Sequence, residues 1–439
     1  MNRRIAALAL FALLALAGCN APIDDGGRPD PTFDRLGWEN GHWYDDPVSV
    51  TAEDGLNESE REVVVARAMA RLEHLRGKEF RESVPVEVIS RAEYRDRSGG
   101  GGGRDRFGDQ IYEALLLVGE DTSTADDRGA ALDSSVQGFY SPSRDEIVLV
   151  SDSATPTVDR ATLVHELVHA LQDQRLSLGT ATETGDARRA QLGLIEGEAN
   201  ELQRMYADRC GRDWRCIDRP SRQGSGGGGG TADLNVGLFL TIYAPYATGP
   251  AFVEAIRDRG GWAAVDDLYE QFPASTEQVI HPEAYPDEEP APVTVADRST
   301  DEWQRYDRDP PGDTAGEAAI YAMLWASGAI DVRGSAVYDY ESRYSAGWAG
   351  DRIVPYRSGD RDGYVWTSRW DTVADAREFA QIYRLILESK ASRRPGPNTY
   401  VLPESDEFGD AFRVRRDGRR VRIVNGPTVG ALERIGGEA

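Results

Sequence analysis

The sequence predicts an α+β fold in two bodies, and three observations predict it. Long stretches of helix-spaced apolar residues stand beside short β-branched runs bounded by turn residues. The 439 residues, 40% hydrophobic and 9% aromatic, suffice for two or three packed cores. An acidic, Pro-rich link near 286–298 then separates a first body, 37–290, from a smaller α+β body, 299–439.

Taken in order, Met1 to Cys19 is an export leader. Arg3 and Arg4 precede an apolar run from Ile5 to Ala17 that is too short to span a bilayer comfortably. It ends in Leu16-Ala17-Gly18-Cys19, which resembles the lipobox of prokaryotic lipoproteins. Cys19 is therefore the expected lipidation site, anchoring the protein outside the cytoplasm. Twin-arginine and general secretory export both fit the leader. Residues 20–36, rich in Asp, Gly and Pro, read as a tether.

Apolar residues recur at helical spacing from Asn57 to Leu75, behind the capping-type start Asn57-Glu58-Ser59-Glu60. Val86 to Ile89, after Pro85, reads as a strand. The glycine run 99–103 and the acidic stretch 120–128 read as loops. Residues 137–150 form a hairpin turning through 141–145. Helices are expected from Thr155-Pro156 to about Gln174, and from about Gly185 to Asp208. A second glycine run, 224–230, is a loop. Asn235 to Phe272 is helical, broken at Pro245, Pro250 and Gly260-Gly261. The second body has a helix near 315–328, strands at 352–357 and 363–370, and a helix over 373–389. A hairpin over 411–424, turning at Asp417-Gly418, closes the chain.

Acidic residues outnumber basic ones 75 to 50, a formal charge of −25, which argues against binding nucleic acid. Every basic residue except Lys78 and Lys390 is arginine. An acidic surface nearly free of lysine suits very high salt and points to a halophilic source. An Arg-rich coding bias is the alternative, but it leaves the acid excess unexplained. In an exported chain Cys210 and Cys216, with five residues between them, are expected to form a disulfide worth about 2 kcal/mol. A metal pair is disfavoured, because no second Cys or His pair lies nearby.

The chemistry concentrates in Leu163-Val164-His165-Glu166-Leu167-Val168-His169. Two histidines four apart share one helix face, so their rings converge on a point where zinc can bind. Glu166, one position round, is placed to act as general base. Only five histidines occur in the chain, yet two fall in this register. Two ligands leave the metal short of a third. Positions 172 and 175, where a third histidine pattern would continue, are Gln and Arg.

HELVH followed by Glu196-Gly197-Glu198-Ala199 on a second helix resembles the gluzincin zinc metallopeptidases. The resemblance implies Glu196 as third zinc ligand, with Glu198 and Glu201 as rivals. It places Asn200 where thermolysin-like members use an Asp to brace a ligand histidine, and Asp173 beside it in the same supporting layer. It also implies a zincin-like fold in which the 137–150 hairpin supplies an edge strand along the cleft for peptide substrate. A wider stretch, including Pro245-Tyr246, Gly260-Gly261-Trp262 and Ser275-Thr276-Glu277-Gln278 through His281-Pro282, looks like secreted prokaryotic zincin-like proteins. An oxyanion partner is needed; His281 is the candidate, with Tyr206, Tyr243 and Tyr246 beside it. The expectation is a membrane-anchored surface zinc peptidase. A non-catalytic envelope scaffold that keeps zinc is the competing reading.

Overall fold

The computed structural model describes residues 28–437 except 48–49, 51–53, 99–103, 134–135, 154, 180 and 218–234. The leader, Cys19, the first part of the tether and both glycine runs lie outside the described residues. The tether's end, from Arg28, returns to the fold: Arg28 stacks on the Trp43 ring at 4.4 Å and bonds Asp45 at 3.0 Å.

The fold is α+β. A short ribbon of β1 (Trp38–Glu39) and β2 (His42–Trp43) precedes α1 (Glu58–Arg76). Asn57 caps α1: the Glu60 N–H donates to Asn57 Oδ1 at 3.1 Å and the Asn57 N–H to Glu60 Oε2 at 2.9 Å. There follow β3 (Val86–Ile89), α2 (Arg91–Ser98), α3 (Arg106–Ala114) and α4 (Thr124–Asp133). The α4 helix occupies the stretch that the acidic sequence suggests is a loop. Asp126 and Asp127 fall in its first turn, where the helix dipole favours negative charge.

The hairpin β4 (Gly138–Ser141) and β5 (Glu146–Val150) completes a three-stranded sheet in the order β3-β5-β4. β5 pairs parallel with β3 and antiparallel with β4, which leaves β4 at the edge. Two helices cover this region, α5 (Arg160–Arg175) and α6 (Gly185–Arg209). The α5 helix starts later than Thr155-Pro156 suggests. Asp159 is its N-cap, accepting from the Ala161 N–H at 2.7 Å, while Pro156 O is engaged by the Leu56 N–H at 3.0 Å. Met69, Leu72, Ile147, Leu167 and Leu202 pack together as the core of this part. Cys210 and Cys216 are disulfide-bonded, with Cα atoms 5.5 Å apart, and close the turn after α6.

Next, α7 (Val236–Leu268) runs without interruption through Pro245 and Pro250, and breaks only at Gly260-Gly261, where Gly261 has φ 69°. Its length and composition would let it cross a membrane, yet Leu240, Ala244, Phe252 and Val253 are packed inside the protein. It crosses α6 at glycines. A Cβ on Gly197 would lie 2.4 Å from the Gly249 carbonyl, and one on Gly249 2.1 Å from Gly193 O. The Gly of the EGEA run is thus the point of closest helix approach.

After α8 (Thr276–Ile280), β6 (Gln304–Arg305) and α9 (Gly316–Ala326), the chain builds a seven-stranded antiparallel sheet. Its other members are β7 (Trp348–Ser358), β8 (Arg361–Trp370), β9 (Arg393–Gly396), β10 (Thr399–Val401), β11 (Ala411–Asp417) and β12 (Arg420–Gly426). The order is β6-β7-β8-β12-β11-β10-β9, with α10 (Val373–Lys390) following β8 and α11 (Val429–Gly436) following β12. The link at 286–298 interrupts the helical pattern without separating the cores. Phe107, Ile111 and Leu115 share one core with Trp366, Phe379 and Phe412. The α3 segment therefore belongs, by packing, with the C-terminal sheet.

Candidate metal centre

The α5 helix presents His165 and His169 one turn apart, and α6 brings Glu196 against them. His165 Nε2 lies 3.2 Å from His169 Nε2 and 3.1 Å from Glu196 Oε2. His169 Nε2 is 3.5 Å from the same oxygen. Ligands held at zinc's ~2.0–2.1 Å in tetrahedral directions stand roughly 3.3 Å apart, so the triangle has the size zinc requires. The side chains are 14%, 12% and 11% exposed, so the centre is enclosed but reachable.

Charge makes the same point. Burial alone would raise the Glu196 carboxyl, but hydrogen bonds and charge from His165 and His169 hold it well below the usual range. Burial opposes charge on His169, yet Glu196 and then Glu166 push it up to about 9. Glu196 is thereby held ionised against two imidazoles, the state in which a carboxylate can serve as a metal ligand. Two imidazole nitrogens and one carboxylate oxygen, partly reached by solvent, are a group that could hold a metal ion.

The tautomer of His169 follows from its neighbours. Gln172 Nε2 shares its two N–H groups among Ile195 O at 3.0 Å, Tyr269 Oη at 2.9 Å and Glu198 Oε2 at 3.1 Å. Its Oε1 must therefore face His169 Nδ1, 2.9 Å away, and accept that proton. His169 Nε2 is left with its lone pair towards the centre.

The rivals for the ligand role are engaged elsewhere. Glu198 pairs with Arg76, both side chains 1% exposed, and also accepts from Tyr269 Oη. Glu201 pairs with Arg204 at 2.8 Å and Arg257 at 2.6 Å. Glu198 is instead the anchor that orients Gln172.

Glu166 is buried beside the triangle, its Oε2 accepting from the Tyr140 N–H of β4 at 2.9 Å. Burial pushes its carboxyl above the usual range, countered in part by the charges of His169 and His165 and by the Tyr140 N–H. This bond is possible because Tyr140 occupies a non-hydrogen-bonded position of the hairpin, so its N–H points away from β5.

Three expected roles change. His281 pairs with Glu317, Nε2 to Oε2 at 3.1 Å, and is not bonded to any of these groups. The hydroxyl that reaches the centre is Tyr246, which donates to Glu196 Oε1 at 3.1 Å. The α6–α7 glycine crossing places it there, one turn before Gly249. Asn200, half-buried, makes no hydrogen bond to either histidine among the described residues; Gln172 does the bracing. Asp173 accepts from Tyr140 Oη at 2.8 Å and so steadies the strand that holds Glu166, one step away from the histidines. The i+3 spacing of Gln172 from His169 was the sequence signal for this brace. A cavity of about 530 Å³ lies elsewhere, between α1 and β3, and contains none of these side chains.

A family model described as "Domain of unknown function (DUF8575)" matches residues 304–436, which run from β6 to the end of α11. No curated protein and no solved structure matches the chain.

Proposed function

We propose that this chain is a zinc-dependent peptidase, anchored through Cys19 at the outer face of a cell membrane. The observation that carries the reading is the triangle of His165 Nε2, His169 Nε2 and Glu196 Oε2 with the Glu166 carboxylate beside it. The leader ending in Leu16-Ala17-Gly18-Cys19 supports the anchoring, and the acidic, lysine-poor composition supports a high-salt setting.

His165, His169 and Glu196 would hold the metal. When bound there, zinc would supply Lewis acidity and make a water molecule easier to deprotonate near neutral pH. Glu166 takes the proton from the attacking water and passes it to the leaving amine. Its burial raises its proton affinity, which suits that exchange. Tyr246 Oη, placed beside Glu196, donates to the developing oxyanion. Gly138, at the edge of the sheet, turns its backbone groups away from β5 and can pair with an extended peptide.

The test compares zinc content and peptide hydrolysis, in high salt, for wild type, Glu166→Gln and Glu196→Gln. Glu166→Gln should keep its zinc while hydrolysis falls by ~10²–10⁴-fold. Glu196→Gln should lose zinc and activity together. Wild-type protein with background zinc would overturn the metal assignment. Zinc-loaded wild type as inert as Glu166→Gln towards a peptide library would favour the scaffold reading.

A further inference from the structure

We propose a second metal site, in which Glu113, Glu120 and Asp410 hold a calcium ion that ties the α3 segment to the C-terminal sheet. Glu113 ends α3, Glu120 lies in the loop beyond it, and Asp410 immediately precedes β11. One carboxylate oxygen from each lies within 4.8 Å of the others. Oxygens on opposite sides of calcium, each at 2.3–2.6 Å, stand about 4.6–5.2 Å apart, so a cation of that size fits between them.

An acidic cluster alone would be weak evidence. Here two of the carboxyl groups are buried, and each has one oxygen without a partner. Glu113 and Asp410 are 2% and 6% exposed, and Glu113 Oε1 and Asp410 Oδ2 have no hydrogen-bond partner. Around them stand two buried amides that belong to no acidic cluster. Gln110 is bonded to Glu113 through Nε2 while its Oε1 is unpartnered. Asn425, fully buried on β12, sets its amide against the Asp410 carboxyl and leaves its Oδ1 without a partner. Leaving such groups unpaired forfeits the hydrogen bonds they made to water, with nothing to offset the loss. Carboxylate and amide oxygens in an irregular shell are the ligands calcium takes.

No Lys, Arg or His pairs with the three carboxylates among the described residues. Arg104 donates to the Glu120 carbonyl at 2.6 Å but is ion-paired with Asp109 at 2.7 Å. Arg106 is committed to Asp362 at 2.6 Å, and Asp362 adds negative charge to the cluster. A cavity of about 330 Å³, lined by Glu120, Thr122, Glu404 and Asp410, gives an ion a route in. The two chain segments already meet there, the Glu120 N–H donating to Glu407 O at 3.0 Å. The competing arrangement is carboxyl groups that share protons and need no metal.

Calcium chloride titrated into the zinc-loaded full chain, in potassium chloride at pH 7.5, separates the two. Calorimetry should find one calcium per chain, and the melting temperature should rise with calcium. Glu120→Gln, at the half-buried position, and the double variant Glu113→Gln/Asp410→Asn should each weaken uptake at least ~10-fold. His165→Ala, which removes only the other centre, should leave calcium binding unchanged. Absence of calcium uptake by the folded wild type, or uptake insensitive to all three carboxylate substitutions, overturns the site. So does a melting temperature that calcium leaves unmoved.

Discussion

Of the three groups of candidate ligands among the described residues, two differ sharply in donor type, access and surroundings. At the α5–α6 centre two imidazoles meet one carboxylate, solvent reaches the edge, and a second carboxylate, Glu166, is held alongside by the Tyr140 N–H. At the α3–β11 junction all donors are oxygens, two of the three side chains are buried, and no base is left over. The first arrangement suits a borderline-soft ion with an open position. The second suits a hard ion that the protein surrounds and that joins two segments. The comparison teaches that ligand chemistry and access, more than the count of carboxylates, separate a site that can turn over substrate from one that can only hold structure.

Several substitutions would break or sharpen that contrast. The largest effect after Glu166 itself is expected at Tyr246. Tyr246→Phe should lower kcat by ~10²–10³-fold, the usual cost of losing an oxyanion donor, with zinc content unchanged. His281→Ala, whose partner is Glu317, should leave turnover near wild type. Equal losses for the two variants would show that Tyr246 has no special place at the centre.

A smaller effect is expected one layer out. Gln172→Ala removes the acceptor that fixes the His169 tautomer, so zinc affinity measured by chelator competition should drop ~10–100-fold. Calcium uptake should be unaffected. An unchanged zinc affinity would mean that His169 needs no brace.

The smallest effect concerns a third acidic group, Glu277, Glu288 and Asp371, which serves as a control. Burial first, and then the charges of Glu317 and Glu288, push Glu277 up to about 9. A carboxyl raised in the folded state contributes stability that is complete below the unfolded value near about 4 and is lost as pH rises through about 9. Melting temperature should therefore fall between pH 6 and 10. Glu277→Gln should flatten that fall, with a gain of about 1 kcal/mol at the alkaline end. Calcium should not substitute for the mutation, because Glu288 is exposed and solvent already serves it. A calcium response at this group as large as that at Asp410 would erase the distinction drawn above.

What local spacing encodes was legible. Histidines at i and i+4 must share a helix face, so the convergence of His165 and His169 could be read from two positions. The hairpin over β4 and β5, the Asn57 capping box and the close Cys210–Cys216 pair are likewise contained within a few residues each. Helix ends were less legible. Asp159 captured the start of α5 from Pro156, and α4 formed in a stretch whose acidic residues also suit a helix's first turn.

Other features depend on which segments meet, and no local pattern carries that. Glu196, Glu198 and Glu201 look alike along the chain. Only packing commits Glu198 to Arg76 and Glu201 to Arg257, leaving Glu196 to face the histidines. Tyr246 stood beside Tyr206 and Tyr243 as an equal candidate until the contact of Gly197 with Gly249 set the depth at which α7 crosses α6. Glu113 and Asp410 are almost three hundred positions apart, and only the packing of α3 on the C-terminal sheet places their oxygens together. Composition and short-range spacing thus determined the long helices, the hairpin and the two histidines, because those follow from backbone period and local hydrogen bonding. Which carboxylate, which tyrosine and which distant acids share a site was decided by tertiary structure, because burial and close helix approach bring together groups whose separation along the chain is arbitrary.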